Sequence, residues 1–383
     1  MQITIVTGPF LLPPPGPAGA VEKIWAKLAT EFAAAGHEVT LVSRAYPGLC
    51  AAETVNGVRC LRRSGFQRTG CFPVDLLKDL LYSLAILRSL PSADITVTNA
   101  FWLPVFASFL SRAGIIYINV QRFPKGQMRL YWRAAVLSAP SQAVRNAVLS
   151  EWPGAAPRLR TIPNPYEDAV FQPPAEPRAS AGPQTILYAG RLHPEKGLEL
   201  LIRAFAILSP RYPHLCLKLL GPVSVRLGGG GERYRRHLAG LAAGMPISFA
   251  DPISDPHRLA DEYRAAHVFC YPSLAERGES FPVTPLEAMA TGLAPVVSSL
   301  DCFRDFVIDG ETGLFFDHRA TDAPARLASQ LESLVSSPDR ARRLGTAAVA
   351  KAAEFSMRNV AAQFLSDFGE LVHTHSGDPN GRP

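Results

Sequence analysis

Two kinds of apolar pattern alternate along the chain. Short continuous runs at residues 1–7, 37–43, 95–98 and 115–120 read as strands buried on both faces. Between the first two, Val21, Ile24, Trp25, Leu28, Ala29 and Phe32 recur at three- and four-residue steps, which predicts a helix over 20–35 closed by Gly36. Strand, turn-rich loop, helix, Gly-His and strand make a βαβ unit with parallel strands. Ligands in such sheets bind beyond the carboxyl ends of the strands, where Gly16 and Gly19 fall. A second helical stripe, Leu76, Leu77, Leu80, Leu81, Leu84 and Leu87, is expected to face the core.

The rhythm resumes after residue 184, with strands predicted at 185–189, 215–220, 247–250, 268–271 and 294–298 and helices at 198–208 and 232–243. The segment 151–183 holds eight prolines and few apolar runs, so it reads as a connector. The fold class is therefore α/β, with two doubly wound domains. Their expected bounds are 1–165 and 166–358, with a terminal helix near 359–372 and a polar, disordered tail over 376–383.

Composition agrees with this division: 383 residues, 47% hydrophobic and 19% charged, suit two globular domains. No apolar run reaches the roughly 18 residues of a membrane span, and the chain opens directly on a strand pattern rather than a leader. Six cysteines without a Cys-x-x-Cys pair point to reduced thiols in the cytoplasm and suggest no metal site. Charge changes the picture more. Residues 1–165 carry 17 Lys+Arg against 8 Asp+Glu, which implies an anionic partner such as a membrane surface, or ordinary surface charge. Within that half, Arg122, Lys125, Arg129 and Arg133 interleave with Phe123, Tyr131 and Trp132. That mixture suits a headgroup or a sugar face, and equally a solvated amphipathic surface.

Candidate chemistry gathers in the second half. Gly190-Arg191-Leu192-His193-Pro194-Glu195-Lys196-Gly197 places two cations beside a helix start, where the helix dipole disfavours them and a bound anion would offset them. Neither a GxGxxG nor a GxxxxGK[ST] spacing is present. Further on, Glu279 and Glu287 straddle a loop that runs into a helix. Thr284 is the expected N-cap, Pro285 lies in the first turn, and Gly292 stops the helix in a left-handed conformation.

Together, Gly190-Arg191 to Lys196-Gly197, Tyr271-Pro272-Ser273, Glu279 with Glu287-Ala288-Met289-Ala290-Thr291-Gly292, and Asp309-Gly310-Glu311-Thr312-Gly313 resemble a retaining glycosyltransferase of family four with the GT-B fold. The first half resembles it more loosely, through the Gly16 to Gly19 loop, Gly36-His37-Glu38-Val39, Ser141 and Asn164. The resemblance implies two Rossmann-like domains facing each other across a cleft, with hexose transfer from a nucleotide-sugar donor to a polysaccharide, lipid-linked or natural-product acceptor. It implies neither a cofactor nor a metal, nor any nucleic acid partner.

Carried over by motif, Arg191 and Lys196 would hold the diphosphate, Glu279 would lie at the donor sugar and Glu287 at the ribose. Gly190, Phe281, Val283, Thr284 and Gly19 would complete the donor site, and Gln121 and Arg122 would line the acceptor side. Gln121 stands roughly where many members have a histidine, and Pro282 where many have glycine. A nucleotide-sugar epimerase of the same architecture, or a nucleotide-sugar-binding protein without turnover, are the other readings.

Overall fold

The computed structural model describes residues 1–12, 19–176 and 183–377. Gly16, Pro17 and Ala18 of the first loop, and 378–383 of the expected tail, lie outside the described residues; Ser376 and Gly377 end the last helix.

In chain order the elements begin with β1 (Gln2–Val6), α1 (Ala20–Ala34), β2 (Glu38–Arg44), β3 (Ala52–Val55), β4 (Val58–Arg63) and α2 (Phe72–Arg88). Next come β5 (Ile95–Thr98), α3 (Leu103–Ala107), β6 (Ile115–Asn119), β7 (Val136–Ala139), α4 (Gln142–Glu151) and β8 (Leu159–Thr161). The second half runs β9 (Gln184–Ala189), α5 (Leu198–Leu208), β10 (Leu215–Leu220), α6 (Gly231–Leu241), β11 (Ile247–Ala250) and α7 (Pro256–Ala265). It closes with β12 (Val268–Tyr271), α8 (Val283–Ala290), β13 (Pro295–Ser298), β14 (Leu314–Phe316), α9 (Ala323–Val335), α10 (Pro338–Ala353) and α11 (Met357–Gly377).

Two compact units result. The first comprises the described residues within Met1–Asn164 and Met357–Pro383, the second Pro165–Ser356. The proline-rich stretch is thus only partly a connector: residues 153–158 form a 3₁₀ turn and β8 pairs in parallel with β7 inside the first unit.

The first unit carries an eight-stranded sheet in the order β3-β4-β2-β1-β5-β6-β7-β8, parallel except for β3. Its strands are apolar because helices cover both faces. On one face, the buried stripe of α1 meets α11: Trp25 lies against Phe364 with ring centroids 5.1 Å apart, and Phe32 against Phe368 at 5.8 Å. The Tyr117 hydroxyl donates to Asp367 Oδ2 at 2.8 Å, pinning α11 to the sheet. The hairpin β3–β4 turns on Asn56-Gly57, both at positive φ, as a tight right-twisted hairpin requires.

On the opposite face, α2 corrects the sequence expectation. Its buried residues are Asp79, Tyr82, Ser83 and Ile86, while Leu77 and Leu81 are 55% and 50% exposed and Leu84 is exposed as well. The reason is a buried carboxylate: Asp79 Oδ1 accepts the Trp102 N–H at the start of α3 (3.0 Å) and the Ser83 hydroxyl (3.3 Å). A polar group so well partnered can enter the core, and it turns Leu77, Leu81 and Leu84 outward while Leu76, Leu80 and Leu87 stay half-buried, Leu87 against the core.

The second unit has a six-stranded, wholly parallel sheet, β11-β10-β9-β12-β13-β14. Among the described residues no helix is long and apolar enough to cross a membrane.

Candidate active site

In the second unit the chain leaves β9 toward β10 on one side and later fills β12 on the other. The carboxyl ends of β9 and β12 therefore flank a topological switch point, where open parallel sheets bind ligands. The loop 190–197 follows β9 and the loop 272–282 follows β12.

These loops are stitched together. The Leu274 N–H donates to the Glu195 carbonyl at 2.8 Å, and a Cβ at Gly197, whose φ is +68°, would come within 2.0 Å of the Pro272 carbonyl oxygen. Only glycine permits that approach and that backbone conformation together. The close contact brings Lys196 beneath the β12 loop, 4% exposed, where its ammonium forms an ion pair with Glu279, itself 6% exposed. The Ser273 hydroxyl donates to the same Glu279 Oε1 at 2.7 Å. Lys196 Nζ also sits 5.5 Å from the Tyr271 ring centroid. Burial, and after it the Glu279 charge, push the Tyr271 phenol well above its usual range, so it stays protonated beside the carboxylate.

Arg191 is half-exposed. It reaches Glu195 Oε1 through Nη2 at 2.8 Å and the Gly228 carbonyl through Nη1 at 3.0 Å. The tetraglycine segment is accordingly packed in place, since the Gly230 N–H also donates to the Leu192 carbonyl at 2.7 Å. Each of the two cations that sequence reasoning left to be offset by a bound anion is thus matched by a carboxylate of the chain, Glu279 for Lys196 and Glu195 for Arg191.

The helix after Glu279 starts two residues earlier than the sequence suggested. Pro282 is the N-cap, with extended φ of −74° and ψ of 130°, so Thr284 is the second helical residue rather than the cap. Prolines 282 and 285 have no N–H, and Leu286 and Glu287 lie where the helix supplies acceptors. The donors aimed out of the helix start are therefore those of Val283 and Thr284. Gly292 stops the helix at a φ of +78°. Glu287 accepts from the Tyr263 hydroxyl at 2.9 Å. Burial, then the Glu287 charge, raise the Tyr263 phenol and keep it a donor.

The remaining expected residues divide. Gly190, at a φ of +152°, packs so tightly that the Gly221 position has room for no Cβ beside its carbonyl. The Phe281 ring is buried against Phe306 and Phe355, with centroids 5.1 and 5.8 Å away, in the core of the second unit. Gly19, Gln121 and Arg122 belong to the first unit. There Gln121 Nε2 donates to Asn164 Oδ1 at 2.8 Å, and Gly19 is the N-cap of α1.

Sequence reasoning gave no role to four side chains: Glu195 and Ser273, named only within motifs, and Tyr263, which hold the site residues, and Glu22, buried in the first turn of α1. Glu195 carried a signal, an acid four residues after Arg191. Tyr263 carried none, because it comes from another helix.

Two parallel-sheet α/β units, the second with a cation-carrying loop at its switch point, have the architecture of the GT-B fold. The comparisons agree. Residues 173–351 match the family of glycosyl transferases group 1, and residues 19–165 match the glycosyl transferase 4-like domain. The chain belongs to this glycosyltransferase family, family four of GT-B fold. It is similar to a D-inositol 3-phosphate glycosyltransferase of Arthrobacter sp., 26% identical over 97% of this chain and 94% of the relative. Another so named, from Acidothermus cellulolyticus, is 31% identical over 65% of this chain and 57% of the relative. Among solved structures, sucrose-phosphate synthase from Thermosynechococcus elongatus superposes with a TM-score of 0.79 at 22% identity, covering 98% of this chain and all of that one. Anabaena Alr3699/HepE, solved in complex with UDP and glucose, gives 0.72 at 17% identity, covering 97% of this chain and all of that one.

Proposed function

We propose that this glycosyltransferase works with retention, carrying a hexose from a nucleotide-sugar donor to a polysaccharide, lipid-linked or small-molecule acceptor, and needs no metal ion. The observation that carries the reading is the buried Lys196–Glu279 pair at the switch point, with Ser273 on the carboxylate and Arg191 nearby in the same loop.

Departure of a nucleoside diphosphate concentrates negative charge, and prepositioned cations lower its barrier where they need not reorganise. A donor diphosphate would compete with Glu279 for Lys196 and with Glu195 for Arg191, while the Val283 and Thr284 N–H groups add two neutral donors. Glu279, freed from its ion pair, would stand beside the sugar and stabilise its oxocarbenium character. Glu287 would accept from ribose hydroxyls in the orientation set by Tyr263. On the acceptor side, Gln121 cannot serve as a general base, so its role would be to orient a hydroxyl.

A labelled-donor assay over several nucleotide sugars tests the proposal, with NMR of the product anomer deciding retention. Sugar release with retained configuration is the expected result. Inverted product would refute retention, and donor binding without release to any acceptor would favour a binding protein without turnover.

A further inference from the structure

The outward side of α2 is apolar where a surface helix should be polar. Val74, Leu77, Leu81 and Leu84 follow one another at three- and four-residue steps and are all exposed, with Arg88 ending the row. The opposite side of α2 packs Tyr82 and Ile86 into the same core cluster as Leu103, Ala107, Met128 and Tyr131. α2, α3 and the 3₁₀ turn Met128–Tyr131 therefore cover one face of the first sheet, away from α1 and α11. Phe109, just past α3, and Trp132, just past the turn, are 65% and 55% exposed on this side. Arg133 stacks across both, its guanidinium carbon 4.6 Å from the Phe109 centroid and 5.2 Å from that of Trp132.

The charges around these residues are mostly positive. Between positions 64 and 135 stand eight Lys+Arg and three Asp. Asp79 is buried on the start of α3, while Asp75 and Asp94 stay at the surface, accepting from the Thr69 and Gly70 N–H groups and from the Gln2 N–H, and Glu151 accepts from the Gly126 and Met128 N–H groups beside the turn. A second copy docked about a two-fold axis would set these cations against each other.

We propose that this face of the first unit is a docking surface for an anionic lipid bilayer. The α2 leucine row enters the interfacial layer, Trp132 and Phe109 sit at headgroup depth, and Arg88, Arg129 and Arg133 pair with lipid phosphates. The transfer reaction proposed above does not require this surface, so the two fail independently.

Co-sedimentation of the full chain with phosphatidylglycerol/phosphatidylcholine vesicles, against phosphatidylcholine alone, tests the proposal. Wild type should bind the anionic vesicles and lose most of that binding as salt rises toward 1 M, where the screening length falls to about 3 Å. Leu77→Asp/Leu81→Asp, at exposed positions, should weaken binding tenfold or more with an unshifted melting temperature and unchanged donor affinity. Arg129→Gln/Arg133→Gln should weaken it less and flatten its salt dependence. Equal binding to neutral vesicles, no binding at low salt, or wild-type binding by both variants would overturn the assignment. So would a lipid-free dimer that the aspartate pair dissolves, since the face would then belong to a second copy.

Discussion

Replacing Lys196 by methionine tests the buried pair most directly. The side chains of Lys196 and Glu279 are 5% and 7% exposed, so the substitution leaves a carboxylate with little water and, among the described residues, the Ser273 and Tyr271 hydroxyls as its donors. Removing one member of a buried ion pair costs about 3–5 kcal/mol because the survivor stays desolvated. For a unit of this size each kcal/mol moves the melting temperature by about 2–4 °C, so Lys196→Met should melt roughly 6–20 °C lower. Lys196→Met/Glu279→Gln removes the stranded charge and keeps an acceptor for Ser273. It should regain at least about 2 kcal/mol of the loss, the size of coupling expected for neighbours in one network. Calorimetry can separate the transitions of the two units, and saturating nucleoside diphosphate reports on the ligand. Wild type should gain more stability from it than either variant, since the cation that would meet the diphosphate is gone. A single variant that melts within about 2 °C of wild type, or a double variant as unstable as the two singles added, would refute the reasoning.

Three further outcomes follow from the same geometry. Glu287→Gln should raise the nucleotide dissociation constant about 10- to 100-fold, as expected for hydrogen bonds to a charged group, and Tyr263→Phe by less; unchanged values by titration calorimetry would remove Glu287 from the site. Gly197→Ala should cost about 2 kcal/mol or more and loosen the donor loop, because the left-handed backbone and the Pro272 carbonyl both exclude a Cβ; a wild-type melting curve would argue against the contact. Burial raises the Glu22 carboxyl above its ordinary 4.5, so the fold favours its neutral form and ionisation destabilises the native state at neutral pH. Glu22→Gln should therefore stabilise at pH 7, with the gain fading as pH falls through the raised value and absent below the unfolded one; a gain that persists in acid would contradict this sign.

Periodicity and motif chemistry were enough to read the α/β class, the position of β5, the bounds of α1 to within a residue and the left-handed stop at Gly292, because each rests on local backbone preference or on a short repeat of burial. The Asn56-Gly57 turn was equally local and equally visible, and it went unread. Arg191, Lys196, Glu279 and Glu287 could be singled out by spacing alone. Their pairing could not. Lys196 and Glu279 are 83 positions apart and meet only because β9 and β12 are neighbours and Gly197 lets their loops touch. The face of α2 was undecidable for a similar reason. Its leucine row and its Tyr82–Ile86 side both repeat at helical spacing, and the choice fell to Asp79, whose partner at the start of α3 comes from another element. Sequence determined the strongly periodic strands and helices and which residues carry charge. Tertiary structure decided which charges neutralise each other and which apolar face meets the outside, because burial and pairing are properties of neighbours distant along the chain.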